Sequence, residues 1–173
     1  QIRSDLAGQQ ERIVEYRAVN GIVGMALAVP ATVSTFMQTR NSWRQGCPVP
    51  ISDLSYLKLT HWGFDGMPRV GELVVHKKLA LPVVKAFADL FAVRFPIERM
   101  ELIDQYDGSD DRSMAANNSS AFNCRDITGK PGQFSKHSYG GAVDINPLQN
   151  PYVSPKNEVL TAMGWDGSEY KGI

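Results

Sequence analysis

The chain has 173 residues, 43% of them hydrophobic and 21% charged, with 18 basic side chains against 18 acidic ones. A chain of this size and balance is most simply one globular domain with a core of its own. Zero net charge supplies no basic surface for an electrostatic grip on nucleic acid, and no apolar run reaches the ~20 residues that a membrane-spanning helix needs.

Residues 1–41 read as an N-terminal helical extension. The pattern over 6–19 predicts a soluble amphipathic helix. The apolar stretch 21–31, Gly-Ile-Val-Gly-Met-Ala-Leu-Ala-Val-Pro-Ala, has the length of a secretory signal core. Asp5, Glu11 and Glu15 precede it, so it is read as buried or partner-facing structure, with a membrane-proximal tether as the alternative. Residues 33–43 predict a short helix stopped by Gly46 and Pro48. Residues 54–61 carry Tyr56, Leu57, Leu59 and Thr60, which suit a pleat. Residues 62–71 are turn-rich, and 72–76 read as a second strand. Over 81–95, Val84, Phe87, Ala88 and Phe91 fall at helical spacing and predict the clearest amphipathic helix. A strand is expected over 99–106 and a charged loop over 107–112. Strands and helices mix without a regular β-α-β repeat, which predicts an α+β fold with a mostly antiparallel sheet and flanking helices.

From Ser135 the chain runs Ser-Lys-His-Ser-Tyr-Gly-Gly-Ala-Val-Asp-Ile-Asn. His137 and Asp144 flank a Tyr-Gly-Gly bend. An imidazole and a carboxylate are two of the protein ligands that a catalytic zinc commonly takes. The glycines permit a tight reversal, so the two side chains are expected to converge from adjacent strands of a hairpin. A surface hairpin with an incidental histidine is the bland alternative. No nucleophile elbow, phosphate loop or dinucleotide fingerprint is present.

The string Ser-x-His-x-x-Gly-x-Ala-x-Asp-Ile resembles the signature of the zinc D-alanyl-D-alanine peptidases of bacterial cell walls. That group includes the vancomycin-resistance dipeptidases and carboxypeptidases, the L-alanyl-D-glutamate endopeptidases of phage lysins, and the hedgehog signalling domain. The resemblance runs from about Ser42 to Tyr152 and points to a carboxypeptidase-like branch. It is carried by Gly46-Cys47-Pro48-Val49-Pro50, His61-Trp62-Gly63-Phe64-Asp65-Gly66, Gly71-Glu72-Leu73-Val74-Val75-His76 and Phe95-Pro96-Ile97. It continues through Arg112-Ser113-Met114-Ala115-Ala116-Asn117-Asn118, Ser120-Ala121-Phe122-Asn123-Cys124-Arg125 and Asn146-Pro147-Leu148-Gln149-Asn150-Pro151-Tyr152.

The resemblance implies a catalytic domain over 42–173 with a hedgehog and D,D-peptidase-like fold. It implies a zinc cofactor held by His137, Asp144 and a second histidine, which in the family follows an acidic residue by three positions. The chain has three histidines, and none follows His137. Three options stay open: a third ligand beyond Ile173, a ligand role for His61 or His76, or no zinc. By the same resemblance Glu169 is the candidate general base, Arg112 the arginine that binds substrate and stabilises developing charge, and Ser135 the serine that hydrogen-bonds substrate. The bland counterparts are a solvated glutamate, a surface arginine paired with Asp110 or Asp111, and a serine that caps the hairpin. Asn117, Asn118, Ser120 and Asn123 are expected to line the cleft, and Arg125 with Asp126 to form an ion pair that orients a ligand. Both cysteines fall inside the quoted motifs, and the implied substrate lies outside the cytoplasm, where oxidation favours a Cys47–Cys124 disulfide. The implied activity is zinc-dependent hydrolysis of peptidoglycan stem peptides by a D-alanyl-D-alanine carboxypeptidase in an extracytoplasmic setting. A cell-wall endopeptidase cutting after L-alanine and a non-catalytic binding domain on the same scaffold are the alternatives.

Overall fold

The computed structural model describes residues 14–18, 21–153 and 159–160. At its centre is a four-stranded antiparallel sheet formed by β1 (Val14–Ala18), β2 (Gly21–Ala28), β3 (Leu54–Trp62) and β4 (Pro68–His76), side by side in chain order. Helix α1 (Ala31–Thr39) lies between β2 and β3 in sequence, and α2 (Ala80–Ala92) follows β4. The architecture is α+β, as the mixed pattern of strand and helix signals predicts.

β3 and β4 pair without a break from Leu54↔His76 to Trp62↔Pro68. Successive side chains of a strand point to opposite faces, and both faces here are covered. Leu57, Leu59, Leu73 and Val75 pack on one side with Val84 and Phe87 of α2. Leu54, Tyr56 and Val74 pack on the other with Met37 of α1, Leu102 and Phe122. Burying each such side chain contributes ~1.5–3 kcal/mol, so these two clusters hold the frame. The expected strands at 54–61 and 72–76 and the expected helices at 33–43 and 81–95 all lie within or across these elements, with ends shifted by a few residues.

Three expectations are corrected. Val14–Ala18 is a strand, where 6–19 predicted a helix; residues 6–13 lie outside the described residues. β2 pairs with β3 on one edge, and its other edge needs partners for its backbone groups, which β1 supplies. β1 and β2 thus belong to the same sheet as β3 and β4. Within 99–106 only β5 (Arg99–Met100) is a strand, and the chain then makes a 3₁₀ turn at Ile103–Tyr106, with Leu102 and Ile103 buried. Within 107–112 the charged loop contains the start of a short helix, α3 (Asp110–Ala115). Ser109 caps it by accepting a hydrogen bond from Arg112 N at 3.3 Å, and Asp110 and Asp111 occupy its first turn, where carboxylates suit the exposed N–H groups.

The remaining strands are short. β6 (Asn118–Ser119) runs parallel to β5, β7 (Asp126–Ile127) pairs antiparallel with β8 (Lys130–Phe134), and β9 (Tyr152–Val153) pairs with β10 (Val159–Leu160). Cys47 and Cys124 are joined in a disulfide, which ties the chain after α1 to the segment after β6. Among the described residues no helix is long and apolar enough to cross a membrane.

Candidate active site

The site is built on the run from Ser120 to Arg125, laid beside the end of β4. Phe122 N donates to Val74 O at 3.0 Å, which docks the run on the sheet. Each neighbouring residue then fixes one part of the site. Ser120 forms a two-way backbone bridge with Asp144, at 2.9 and 3.1 Å. The Ala121 carbonyl lies 2.6 Å from His137 Nδ1. Asn123 N donates to His137 O at 3.3 Å, and Cys124 N to Ser42 O at 2.8 Å.

His137 and Asp144 are not on the two strands of a hairpin, contrary to expectation. His137 sits in a 3₁₀ turn, Lys136–Tyr139, and the chain returns through Gly140 to place Asp144 against Ser120. Ser135 starts that turn, and its Oγ accepts from His137 N at 3.4 Å, which is the capping geometry. Gly140 ends it at φ 64°, where L side chains are strained, and its carbonyl accepts from His76 N at 3.0 Å. A Cβ at Gly140 would lie 2.4 Å from His76 N, so only glycine allows the turn to close on β4. Gly141 carries no such demand: its nearest neighbour to an added Cβ is 3.7 Å away.

The turn brings His137 Nε2 to 3.2 Å from Asp144 Oδ2. The imidazole is nearly covered, while Asp144 keeps 43% of its side chain exposed. A carbonyl can only accept, so Nδ1 donates to Ala121 O; Nε2 donates to Asp144 Oδ2 when the ring is protonated and offers a lone pair to a metal when it is neutral. Burial pushes the imidazole toward its neutral form. The hydrogen bond and charge of Asp144, helped by the Ala121 carbonyl, outweigh burial and raise its pKa.

These two donors fit zinc. Ligand bonds of ~2.0–2.1 Å in a tetrahedral shell set neighbouring donors ~3.3 Å apart, close to the separation seen here. An imidazole whose other nitrogen is held by a carbonyl is also the common arrangement for a metal-bound histidine. The described residues stop at two: they contain no group of three His, Cys, Asp or Glu side chains able to hold a metal. His76 Nδ1 accepts from Lys78 N at 3.1 Å and caps the turn after β4. His61 is buried with Nδ1 3.1 Å from Ile97 O, and burial lowers its pKa. Neither completes the pair. Glu169 lies outside the described residues.

Arg112 is 60% exposed and pairs with Asp107 at 2.9 Å, the carboxylate that also binds Arg40. Arg125 is tied by its backbone to Ser135 and Ser138, the residues on either side of His137. Its Nη2 lies 2.5 Å from Asp110 Oδ2, with both side chains mostly covered. The two charges act on the same site: Arg125 opposes protonation of His137, and Asp110 feels both His137 and Asp144. Burial raises the pKa of Asp110, and the positive charges of Arg125 and His137 pull against that shift. The expected partner of Arg125, Asp126, contributes its backbone carbonyl at 3.3 Å to Nη1, while its carboxylate accepts from Gly132 N.

The asparagines expected to line a cleft are instead buried ties between loops. Asn117 holds Glu98, Gln149 and Leu148 N; Asn118 bonds both backbone groups of Glu101 and the Ser113 hydroxyl; Asn123 reaches Gly108 O. Backbone that belongs to no sheet or helix must find such partners.

Residues 128–170 match the family model described as D-alanyl-D-alanine carboxypeptidase. The matched segment is about a quarter of the chain and includes His137 and Asp144. It supports the resemblance read from the Ser-x-His motif. No curated protein and no solved structure matches the chain.

Proposed function

We propose that this protein is a zinc-dependent peptidase acting on peptidoglycan stem peptides outside the cytoplasm, releasing D-alanine from a D-alanyl-D-alanine end. The observation that carries the reading is the 3.2 Å approach of His137 Nε2 and Asp144 Oδ2, with Nδ1 tied to Ala121. The carboxypeptidase family match over the same residues narrows the peptidase class. The disulfide suits an oxidising compartment.

In this reading His137 and Asp144 hold the metal. Zinc, when bound, supplies a Lewis acid for the scissile carbonyl and lowers the pKa of water toward ~7. The chain supplies the rest. Ala121 fixes the imidazole tautomer, so that Nε2 stays a donor of electrons. Ser120 holds the backbone of Asp144. Arg125, rather than Arg112, offers a permanently charged planar fork to the peptide carboxylate or to charge that develops on the carbonyl oxygen. Glu169 is the candidate to take a proton from water and deliver it to the leaving amine. Ser135, already used as a cap, has less freedom to bind substrate.

The test is His137→Ala and Asp144→Ala in the full chain, assayed on a pentapeptide ending in D-alanyl-D-alanine. Loss of residues that merely orient a ligand costs 10–100-fold in activity or metal affinity, so removing either ligand should cost more than ~100-fold. Undiminished D-alanine release by either variant refutes the assignment. Cleavage after L-alanine instead would move the activity to the endopeptidase class. A second reading, a non-catalytic binding domain on this scaffold, draws on there being only two metal donors among the described residues. Sub-stoichiometric zinc in active-site-intact protein would favour it.

A further inference from the structure

Arg125 is fixed at both ends. Its N–H donates to Ser138 Oγ at 2.9 Å, and its carbonyl accepts from Ser135 N at 2.9 Å and from Ser138 Oγ at 2.6 Å. Ser135 and Ser138 bracket His137, so the Arg125 backbone is locked to the turn that presents the imidazole. Its side chain is held less closely by Nη1, 3.3 Å from Asp126 O, than by Nη2, 2.5 Å from the Asp110 carboxylate. Asp110 is itself anchored, as the first residue of α3 behind the Ser109 cap. Arg125 Nε is buried with no hydrogen-bond partner among the described residues. A buried donor in that state is costly, and such groups call for an explanation in function or in a ligand not yet present.

A rival acceptor stands close by. Asp144 keeps 43% of its side chain exposed and lies 3.2 Å from the imidazole of His137, the residue between the two serines that Arg125 is bonded to. An arginine at this site that lost its present acceptor would be drawn to Asp144 and would compete with His137 for that carboxylate.

We infer that Asp110 is a positioning residue: it holds the Arg125 guanidinium beside the His137–Asp144 pair, available to the carboxylate of an incoming peptide and away from Asp144. This rests on the role given to Arg125 above.

The test uses Asp110→Asn and Asp110→Glu in the full chain, with a D-alanyl-D-alanine pentapeptide and its C-terminal amide as probes. D110N should raise KM for the free acid roughly tenfold or more, the scale of losing a buried charge partner, with kcat within about threefold and little change for the amide. D110E, which keeps the charge, should restore most of the affinity. In an Arg125→Ala background D110N should add nothing, because the two side chains act as one unit. An unchanged KM, or equal losses with and without Arg125, overturns the inference. A readout independent of activity is the ¹⁵N resonance of the buried Arg125 Nε–H. It should be resolved in the wild type, lost in D110N and recovered in D110E. If the wild-type protein releases no D-alanine, the functional reading fails and this resonance decides alone: loss in D110N with recovery in D110E supports positioning, and persistence in D110N overturns it.

Discussion

Leu57 and Asn118 are almost equally buried, at 0% and 1% exposure, and they are held in opposite ways. Leu57 sits in the β3 face that packs with α2, surrounded by aliphatic and aromatic side chains. Its stabilisation is non-directional and scales with area removed from water. Asn118 sits between loops, accepting from Glu101 N at 2.8 Å and donating to Glu101 O and Ser113 Oγ at 3.0 Å. Its stabilisation is directional, and the penalty for a missing partner exceeds the gain from each bond. The frame of this protein follows the first rule, and the strip that carries His137 and Asp144 follows the second.

Exchanging the two chemistries would break that comparison most sharply. Leu57→Asn places an amide without partners and a partial cavity in the apolar cluster, and should cost about 4 kcal/mol. Urea denaturation should show the midpoint falling with little change in slope. Asn118→Leu makes the interior more apolar yet should still cost about 2 kcal/mol, because both backbone groups of Glu101 lose their buried partner. A neutral or stabilising Asn118→Leu would mean that the strip is held by packing after all.

The disulfide gives an effect of intermediate size. Cys47 and Cys124 close a loop 77 positions long. Replacing both by serine should cost about 3 kcal/mol, within the range for native disulfides. Cys124 lies between Asn123, which binds the His137 carbonyl, and Arg125. On the proposed metal role, the doubly substituted protein should bind zinc more weakly under conditions where the sheet signal in circular dichroism persists. Parallel loss of both signals would show that frame and strip unfold as one unit.

The same division explains what could be read from the chain. Val84, Phe87 and Ala88 of α2, and the alternation through Tyr56, Leu57 and Leu59, are periodic traces of a face turned toward a core. They lead directly to β3, β4 and α2. Val14–Ala18 departs from its helical pattern because the open edge of β2 recruits it, a demand set by the sheet rather than by the segment. In the strip, Asn117, Asn118 and Asn123 answer individual backbone groups far away in sequence, and no period records such pairings. The motif names His137 and Asp144, and the structure brings the two side chains to 3.2 Å. Sequence adjacency pairs Arg125 with Asp126, whereas its carboxylate partner is Asp110, a pairing between separate segments that no local pattern records. Arg112 offered a similar local string and ends exposed beside Asp107.

Asp104 lies where the two regimes meet, and it gives the smallest predicted effect. It follows Leu102 and Ile103 of the apolar interior and is itself buried, with Oδ1 lacking a hydrogen-bond partner. Burial raises its pKa above the ordinary 3.8, against weaker opposing effects of Ser42, its own backbone and Arg40. A carboxyl with a raised folded pKa holds its proton longer in the folded state than in the unfolded one. Stability therefore falls as pH rises from 3.8 through the folded pKa, and the penalty is complete above it. Asp104→Asn removes the charge at nearly constant shape. It should raise stability at neutral pH by on the order of 1 kcal/mol, the scale of a buried group left without its partner. It should do nothing at pH 3, where the wild-type carboxyl is already protonated in both states. Denaturation series at the two pH values would check this. A variant less stable than wild type at neutral pH would mean that the Asp104 charge is satisfied in solution, and that the polar regime extends further into the core than the hydrogen bonds indicate.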